Sequence, residues 1–307
     1  LSSAIRVRLR TPKADPNMLL APKKPAIVVI NSLVSRGAVG GRGALFALQR
    51  FGFPVWFVPT VVLPWHPGHG PATRFAPPMR DFAAILDDLA SSDYLSEVGA
   101  VLSGYLGDAE QAEAISCFLA IAREKNPDLK YLCDPIAGDR GALYVPEPVA
   151  EALKEKLLPV ADIATPNLFE LGWFTGTSPE TADEAVMAAR GLGPEQVLVS
   201  SLPGYLRGGI GNLLVTGTEA IMAEHTTVPE APHGPGDLLA ALFLAHLVDG
   251  RDREAALSRA AAAVYELVSR SVKRGDDELA IAAEQIALDK PMAMVTMRRI
   301  GTKAANG

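Results

Sequence analysis

Short apolar runs rich in β-branched residues alternate with longer helical patterns along most of this chain, and that alternation constrains the fold more than any other feature. The predicted strands are Ala26–Ile30, Val55–Val58, Ala100–Ser103, Lys130–Cys133, Asp162–Ala164 and Gln196–Ser200. Between them the spacing predicts helices over Gly43–Phe51, Arg80–Ser91, Ala109–Lys125, Val149–Leu157, Leu168–Thr175 and Thr181–Gly191. Strands that are apolar on both faces belong in a parallel sheet covered by helices on both sides. After Ser200 the pattern changes. Gly208–Thr216 and Glu219–Ala223 read as an antiparallel pair around a tight turn at Gly217 and Thr218. Helices are predicted at Gly236–Val248, Arg253–Arg274 and Glu278–Leu288. No long linker interrupts 26–290, so one α/β domain is expected there, with 1–25 as an extension and 291–307 as a tail.

Composition excludes several function classes. The net charge is −6 and basic runs are short, which disfavours nucleic acid as a partner. Two cysteines, Cys117 and Cys133, build neither a disulfide framework nor a four-ligand zinc site. No stretch reaches the roughly 18–20 apolar residues of a membrane span, so no membrane partner is expected and the compartment expected is the cytoplasm. The first 25 residues carry Arg6, Arg8, Arg10, Lys13, Lys23 and Lys24 against Asp15 alone. They lack both a secretory apolar core and a Ser-rich amphipathic pattern. A solvated extension, or sequence upstream of a start at Met18, is expected.

In an open parallel sheet, ligands bind beyond the carboxyl ends of the strands. The segment Pro232-His233-Gly234-Pro235-Gly236-Asp237, ahead of an Ala- and Leu-rich helix, carries the most chemistry there. Amides of a helix's first turn have no partner inside the helix and favour an anion. Gly234 and Gly236 let a phosphate approach them. A carboxylate at Asp237 would accept a proton from an attacking hydroxyl in the same turn. A simple helix-capping role for Asp237 is the alternative reading of this motif.

With four further stretches, the chain resembles the ribokinase superfamily and, within it, the pyridoxal kinases, over roughly Ala26 to Ser269. Asn31-Ser32-Leu33-Val34-Ser35-Arg36-Gly37-Ala38-Val39-Gly40 is similar to that family's opening segment, which places Ser32 against the pyridine ring. Phe51–Thr60, leading to Pro64-Trp65-His66-Pro67-Gly68, resembles its second strand and substrate flap, with His66 as a substrate contact. Ser103-Gly104-Tyr105-Leu106-Gly107-Asp108 matches its Gly-Tyr turn, with Tyr105 near the substrate. Cys133-Asp134-Pro135-Ile136-Ala137-Gly138-Asp139 with Thr165-Pro166-Asn167-Leu168-Phe169-Glu170 matches the superfamily's acidic strand end and Asn-x-x-Glu motif.

The resemblance implies a ribokinase-like three-layer sandwich with a mostly parallel central sheet flanked by helices on both faces. It implies ATP-dependent phosphorylation of the 5′-hydroxymethyl group of pyridoxal or a related B6 alcohol, with Asp237 as base and Gly234 and Gly236 as the anion hole. Asp134, Asn167, Glu170, Ser200, Ser201 and Pro235 would face ATP. Mg²⁺ would be held through Asp134 and Glu170. The stretch Val228–Pro232 and the helix Arg253–Arg274 would line the adenine site. A monovalent cation and a homodimer are further implications. The chain departs from the family at Pro67, where threonine is common, and at Pro235, where an N–H donor is common. A hydroxymethylpyrimidine kinase of the same superfamily and a weakly catalytic B6 binder are the alternatives. A dinucleotide-binding oxidoreductase is excluded: no acid lies between Asp15 and Asp81 to bind a ribose. No Gly-Lys-Ser/Thr phosphate loop occurs either.

Overall fold

The computed structural model describes residues 23–301. Arg6, Arg8, Arg10 and Lys13 of the basic extension lie outside these, as do positions 302–307 of the expected tail. Lys23 and Lys24 are described, paired with Glu97 and Asp249.

The strands are β1 (Ala26–Val34), β2 (Val55–Leu63), β3 (Val98–Ser103), β4 (Lys130–Cys133), β5 (Gly138–Asp139), β6 (Ala142–Leu143), β7 (Ile163–Ala164), β8 (Gln196–Pro203), β9 (Gly209–Val215), β10 (Ala220–Thr226) and β11 (Thr296–Arg299). The helices are α1 (Gly41–Arg50), α2 (Met79–Ser91), α3 (Glu110–Lys125), α4 (Glu147–Ala152), α5 (Leu168–Thr175), α6 (Ala182–Gly191), α7 (Pro235–Val248), α8 (Arg253–Arg274) and α9 (Ile286–Asp289). Nine strands form one sheet in the order β11-β10-β9-β8-β7-β4-β3-β1-β2, and β5 and β6 form a separate hairpin. The run from β2 to β8 is parallel, and β8 to β11 is antiparallel.

Alternation along the strands sends side chains to two cores. Ile27 and Val29 face α1, α7 and α8, whereas Ala26, Val28 and Ile30 face α2 and α3. Helices α5 and α6 cover the antiparallel end through Leu171, Ala185 and Val186 against Val197, Val199 and Leu213. Helix α7 is apolar all round because Leu238–His246 are all buried in the layer between the sheet and α8. These layers are the expected sandwich.

Three local differences have physical causes. First, β1 does not stop at Ile30. It continues to Val34 through an irregularity between Asn31 and Leu33 against β2, so Ser32 sits in a bulged strand rather than a loop. Bulges of this kind re-aim side chains beside sites. Second, only Ile286–Asp289 of the helix expected over Glu278–Leu288 is helical. Helix α8 ends on left-handed Gly275, and side chains of the next residues are drawn elsewhere: Asp277 to Arg36, Glu278 to His69 and Glu284 to Arg270. Third, the segment expected as a tail contains β11, which pairs with β10 from Glu224 to Ile221 and closes that edge of the sheet.

Candidate active site

Strand order reverses at β1. Its successor β2 lies on one side and β3 on the other, so the carboxyl ends of β1 and β3 form the switch point where such sheets bind ligands. Asn31 ends the apolar run of β1 there and is 1% exposed. A buried amide must find partners. The Asn31 carbonyl oxygen accepts the N–H of Ser32 (2.7 Å) and of Tyr105 (3.0 Å), and its Nδ2 donates to Asp237 Oδ1 (3.2 Å). Tyr105 is fixed again by Thr60, whose hydroxyl donates to its carbonyl at 2.6 Å. Its ring packs beside Val34, Val39, Val61 and Leu63.

Asp237 stands in the first turn of α7. Its second carboxylate oxygen accepts the N–H of Gly40 at 3.1 Å, from the loop after β1. Gly234 turns the chain into the helix in the left-handed conformation (φ 98°), and Pro235 takes the first helical position. The first free amide of α7 is therefore that of Gly236, because the Asp237 amide donates to its own carboxylate. No atom beyond its chain neighbours and the helix's own backbone lies within 4 Å of where a Gly236 side chain would begin, so this helix start is open to a ligand. Burial raises the Asp237 carboxyl above its ordinary range, while the donors Gly40 and Asn31 pull it back.

A second group of acids lies at the ends of β4 and β7. Asp134 is 6% exposed and accepts the Thr165 hydroxyl at 2.8 Å. Burial first, then the charges of Asp237 and Glu170, hold its carboxyl well above the usual carboxylate range. Glu170 and Asn167 form a capping box at the start of α5. Glu170 Oε1 accepts the amides of Ala137 (2.8 Å) and Gly138 (3.2 Å), and its Oε2 accepts that of Asn167 (2.9 Å). Burial still pushes Glu170 up to about 7. Asn167 also donates to the Gly138 carbonyl (2.8 Å) and bridges to Ser200 across the sheet. Ser201 is exposed at φ 64°, where β8 slips register against β9.

The substrate-side residues gather at the other end of the switch point. Ser32 lies beneath Gly40, so close that a side chain at Gly40 would begin 2.3 Å from its hydroxyl. His66 caps a single 3₁₀ turn, Pro67–His69, and its Nδ1 accepts the Gly68 N–H at 3.0 Å. Geometry thus links Ser32, Tyr105 and Asp237 through Asn31 and Gly40, and links Asp134 electrostatically to Asp237 and Glu170. His66 joins this set from the flap, through a contact with His233.

A family model described as "Phosphomethylpyrimidine kinase" matches residues 83–281. A curated relative from Rubrobacter xylanophilus, pyridoxal kinase PdxY, is 37% identical over 281 residues, 89% of this chain and 97% of that protein. The chain belongs to the pyridoxal kinase family. A pyridoxal kinase PdxY from Leifsonia xyli is 34% identical over 90% of this chain and 99% of its own. Among solved structures, a pyridoxal kinase from Leishmania donovani, described in complex with ADP and pyridoxamine, superposes with a TM-score of 0.84 at 27% identity. It covers 90% of this chain and 99% of its own.

In this chain the two departures from the family share one cause. Pro67 and Pro235 each occupy the first position of a helical turn, where the missing N–H has no helical partner to lose. Sequence reasoning gave no individual role to Asn31, Gly40, Tyr144 or His233. For Asn31 a signal existed: a polar residue closing a buried apolar strand has to be bonded by something. Tyr144 follows the β5–β6 hairpin, and burial together with Glu170, Asp237 and Asp134 raises its hydroxyl. It is 55% exposed as a residue.

Proposed function

We propose that this enzyme transfers the γ-phosphoryl group of ATP to the 5′-hydroxymethyl oxygen of pyridoxal, with Asp237 as the general base. One observation carries the reading. The Asp237 carboxylate, oriented on both oxygens by Asn31 and Gly40, shares a helix turn with the free Gly236 amide. The substrate oxygen attacks the γ-phosphorus, the bond to the bridging oxygen breaks and ADP departs. The hydroxyl proton passes to Asp237 and then to solvent. Amides of Gly234 and Gly236 stabilise charge on the transferring group. Pro235 supplies no N–H but fixes the turn. Ser32, His66 and Tyr105 orient the pyridine ring.

The acids fit Mg²⁺. Asp134 is buried beside two other carboxylates that repel its charge, and an all-oxygen donor set suits this ion. Asp134 would hold it directly, and Glu170, occupied by three amides, through water. When bound, Mg²⁺ neutralises phosphate charge. Asn167, Ser200 and Ser201 face the phosphates in this reading. The adenine lies between Val228–Pro232 and α8, and a monovalent cation is an optional addition. The cytoplasm as compartment and a homodimer as assembly belong to the same reading and rest on the family resemblance.

The family model's description favours a second reading, a hydroxymethylpyrimidine kinase using the same phosphate machinery. Coupled ATP turnover with Mg²⁺, offered pyridoxal, pyridoxine, pyridoxamine and hydroxymethylpyrimidine in parallel, separates the two. Preferred turnover of pyridoxal supports the first. Preference for the pyrimidine supports the second. Binding of a B6 vitamer without turnover would show that the proline substitutions have left a binder.

A further inference from the structure

Three histidines from distant parts of the chain meet beside the start of α7. His66 and His69 belong to the flap after β2, and His233 immediately precedes Gly234. The His66 and His233 rings are stacked, with centroids 4.1 Å apart and planes 27° from parallel. His69 stands edge-on to both at 6.4 Å. Its Nε2 lies 2.9 Å from Glu278 Oε1 in the segment after α8, and neighbouring Asp277 holds Arg36 through both carboxylate oxygens. The flap is thus fastened at two points: to the anion-hole loop by a ring stack, and to the segment after α8 by a hydrogen bond.

The stack is tight and uncharged on the His66 side. Gly68 lies between the rings' edges, and a side chain there would begin 2.7 Å from His233 Nε2 and 2.9 Å from His66 Nδ1. Because His66 Nδ1 accepts the Gly68 N–H, its proton sits on Nε2. Burial, with His233 and His69 adding to it, pushes His66 down to about 4, so the ring stays neutral and stacks without repulsion. His233 is itself exposed and makes no core contact that its loss would empty.

We propose that His233 is a positioning residue for the substrate flap: its stack on His66 ties the flap to the loop carrying Gly234, Gly236 and Asp237. The pocket under the flap then closes in register with the phosphoryl-transfer site. The kinetic consequence rests on the function proposed above, but the tie itself does not.

The test uses the full chain as wild type, His233→Ala and His233→Phe. Amide hydrogen exchange across residues 65–70 reports flap opening directly. Steady-state kinetics report its effect on the substrate. Expected for His233→Ala is faster exchange in the flap and a raised KM for pyridoxal, each roughly 3- to 10-fold, the range an aromatic pair contributes. KM for ATP should hold. His233→Phe, which keeps a ring, should restore both values. Unchanged flap exchange in His233→Ala would overturn the proposal, as would a Phe variant that behaves like Ala. If the wild type phosphorylates no B6 alcohol, the functional reading falls, and flap exchange in the two variants still decides the tie. Acceleration spread over the whole chain in His233→Ala would signal a general defect, and the Phe variant then decides.

Discussion

Asn31 Nδ2 donates to the Asp237 carboxylate at 3.2 Å while Asn31 Oδ1 takes the Tyr105 amide at 3.0 Å. One buried side chain therefore sets both the proposed base and the proposed substrate platform. Asn31→Ala should lower kcat roughly 10- to 100-fold, the cost of losing a hydrogen bond to a charged group. It should also raise KM for pyridoxal, because Tyr105 loses its anchor, and leave KM for ATP unchanged. Steady-state kinetics with each substrate varied in turn would check this.

Asp237→Asn keeps the shape of the first turn of α7 and removes the proposed proton acceptor. Turnover should fall roughly 10²- to 10⁴-fold, the usual contribution of a general base. ATP affinity, measured by calorimetry, should hold. A variant with near-normal turnover would remove Asp237 from the mechanism.

The acid limb of the pH profile follows from the same carboxylate. Burial raises Asp237, and Gly40 and Asn31 pull it down. A base must be ionised to act, so kcat should decline as pH falls through a value above the ordinary carboxylate range. Removing Asn31's donor takes away one lowering influence. The acid limb of Asn31→Ala should therefore lie at higher pH than that of the wild type. Profiles of kcat against pH for the two proteins would show the shift or its absence.

Much of this was legible in the sequence because burial leaves a plain trace. Lys130–Cys133 and Arg253–Arg274 are found as predicted, since an apolar strand and an amphipathic helix ending on glycine each leave little choice. The Gly-Pro-Gly-Asp turn was legible for the same reason: left-handed Gly234 and the first-turn Pro235 are local requirements. The hydrogen bonds of Asp237 were not. Its partners Asn31 and Gly40 lie about 200 residues away in sequence, and only the strand order brings them together. Glu278 shows the opposite failure. Its segment has helical character, but contacts with His69 and Arg36 outweigh local preference. β11 was missed because Thr296–Arg299 is short and polar, and it becomes a strand only where β10 offers an edge.

Glu170 should make stability depend on pH. Its folded value is about 7, against about 4.3 in an unfolded chain. Between these values the folded state holds a proton that the unfolded state has lost. Stability contributed by this group is thus full below the lower value, falls as pH rises toward about 7, and is level above it. Asp134 is also raised and adds a slope of the same sign. Scanning calorimetry of the free protein should give a lower Tm at neutral pH than at mildly acidic pH. Glu170→Gln should flatten this slope in part while lowering Tm throughout, since its amide nitrogen would oppose the Asn167 N–H. Adding ADP with Mg²⁺ should reduce the wild-type slope, because a bound cation favours the ionised carboxylates.

Two glycines at the site are small for different reasons, and alanine separates them. At Gly104 a side chain would begin 2.2 Å from Asn31 Nδ2, inside the packed switch point. Gly104→Ala must displace Asn31, so it should lose both stability, by about 1–3 kcal/mol for overpacking, and most of its turnover. At Gly236 a side chain would meet no protein atom within 4 Å beyond its chain neighbours and the helix's own backbone. Gly236→Ala should therefore keep the wild-type Tm, or gain slightly from alanine's helix propensity. Its added methyl group would instead stand where the phosphoryl group approaches the helix amides, so kcat and KM for ATP should both suffer. Thermal melts paired with kinetics on the two variants would distinguish these roles. A Gly236→Ala enzyme with full activity would mean that the transferring group does not pass over the start of α7.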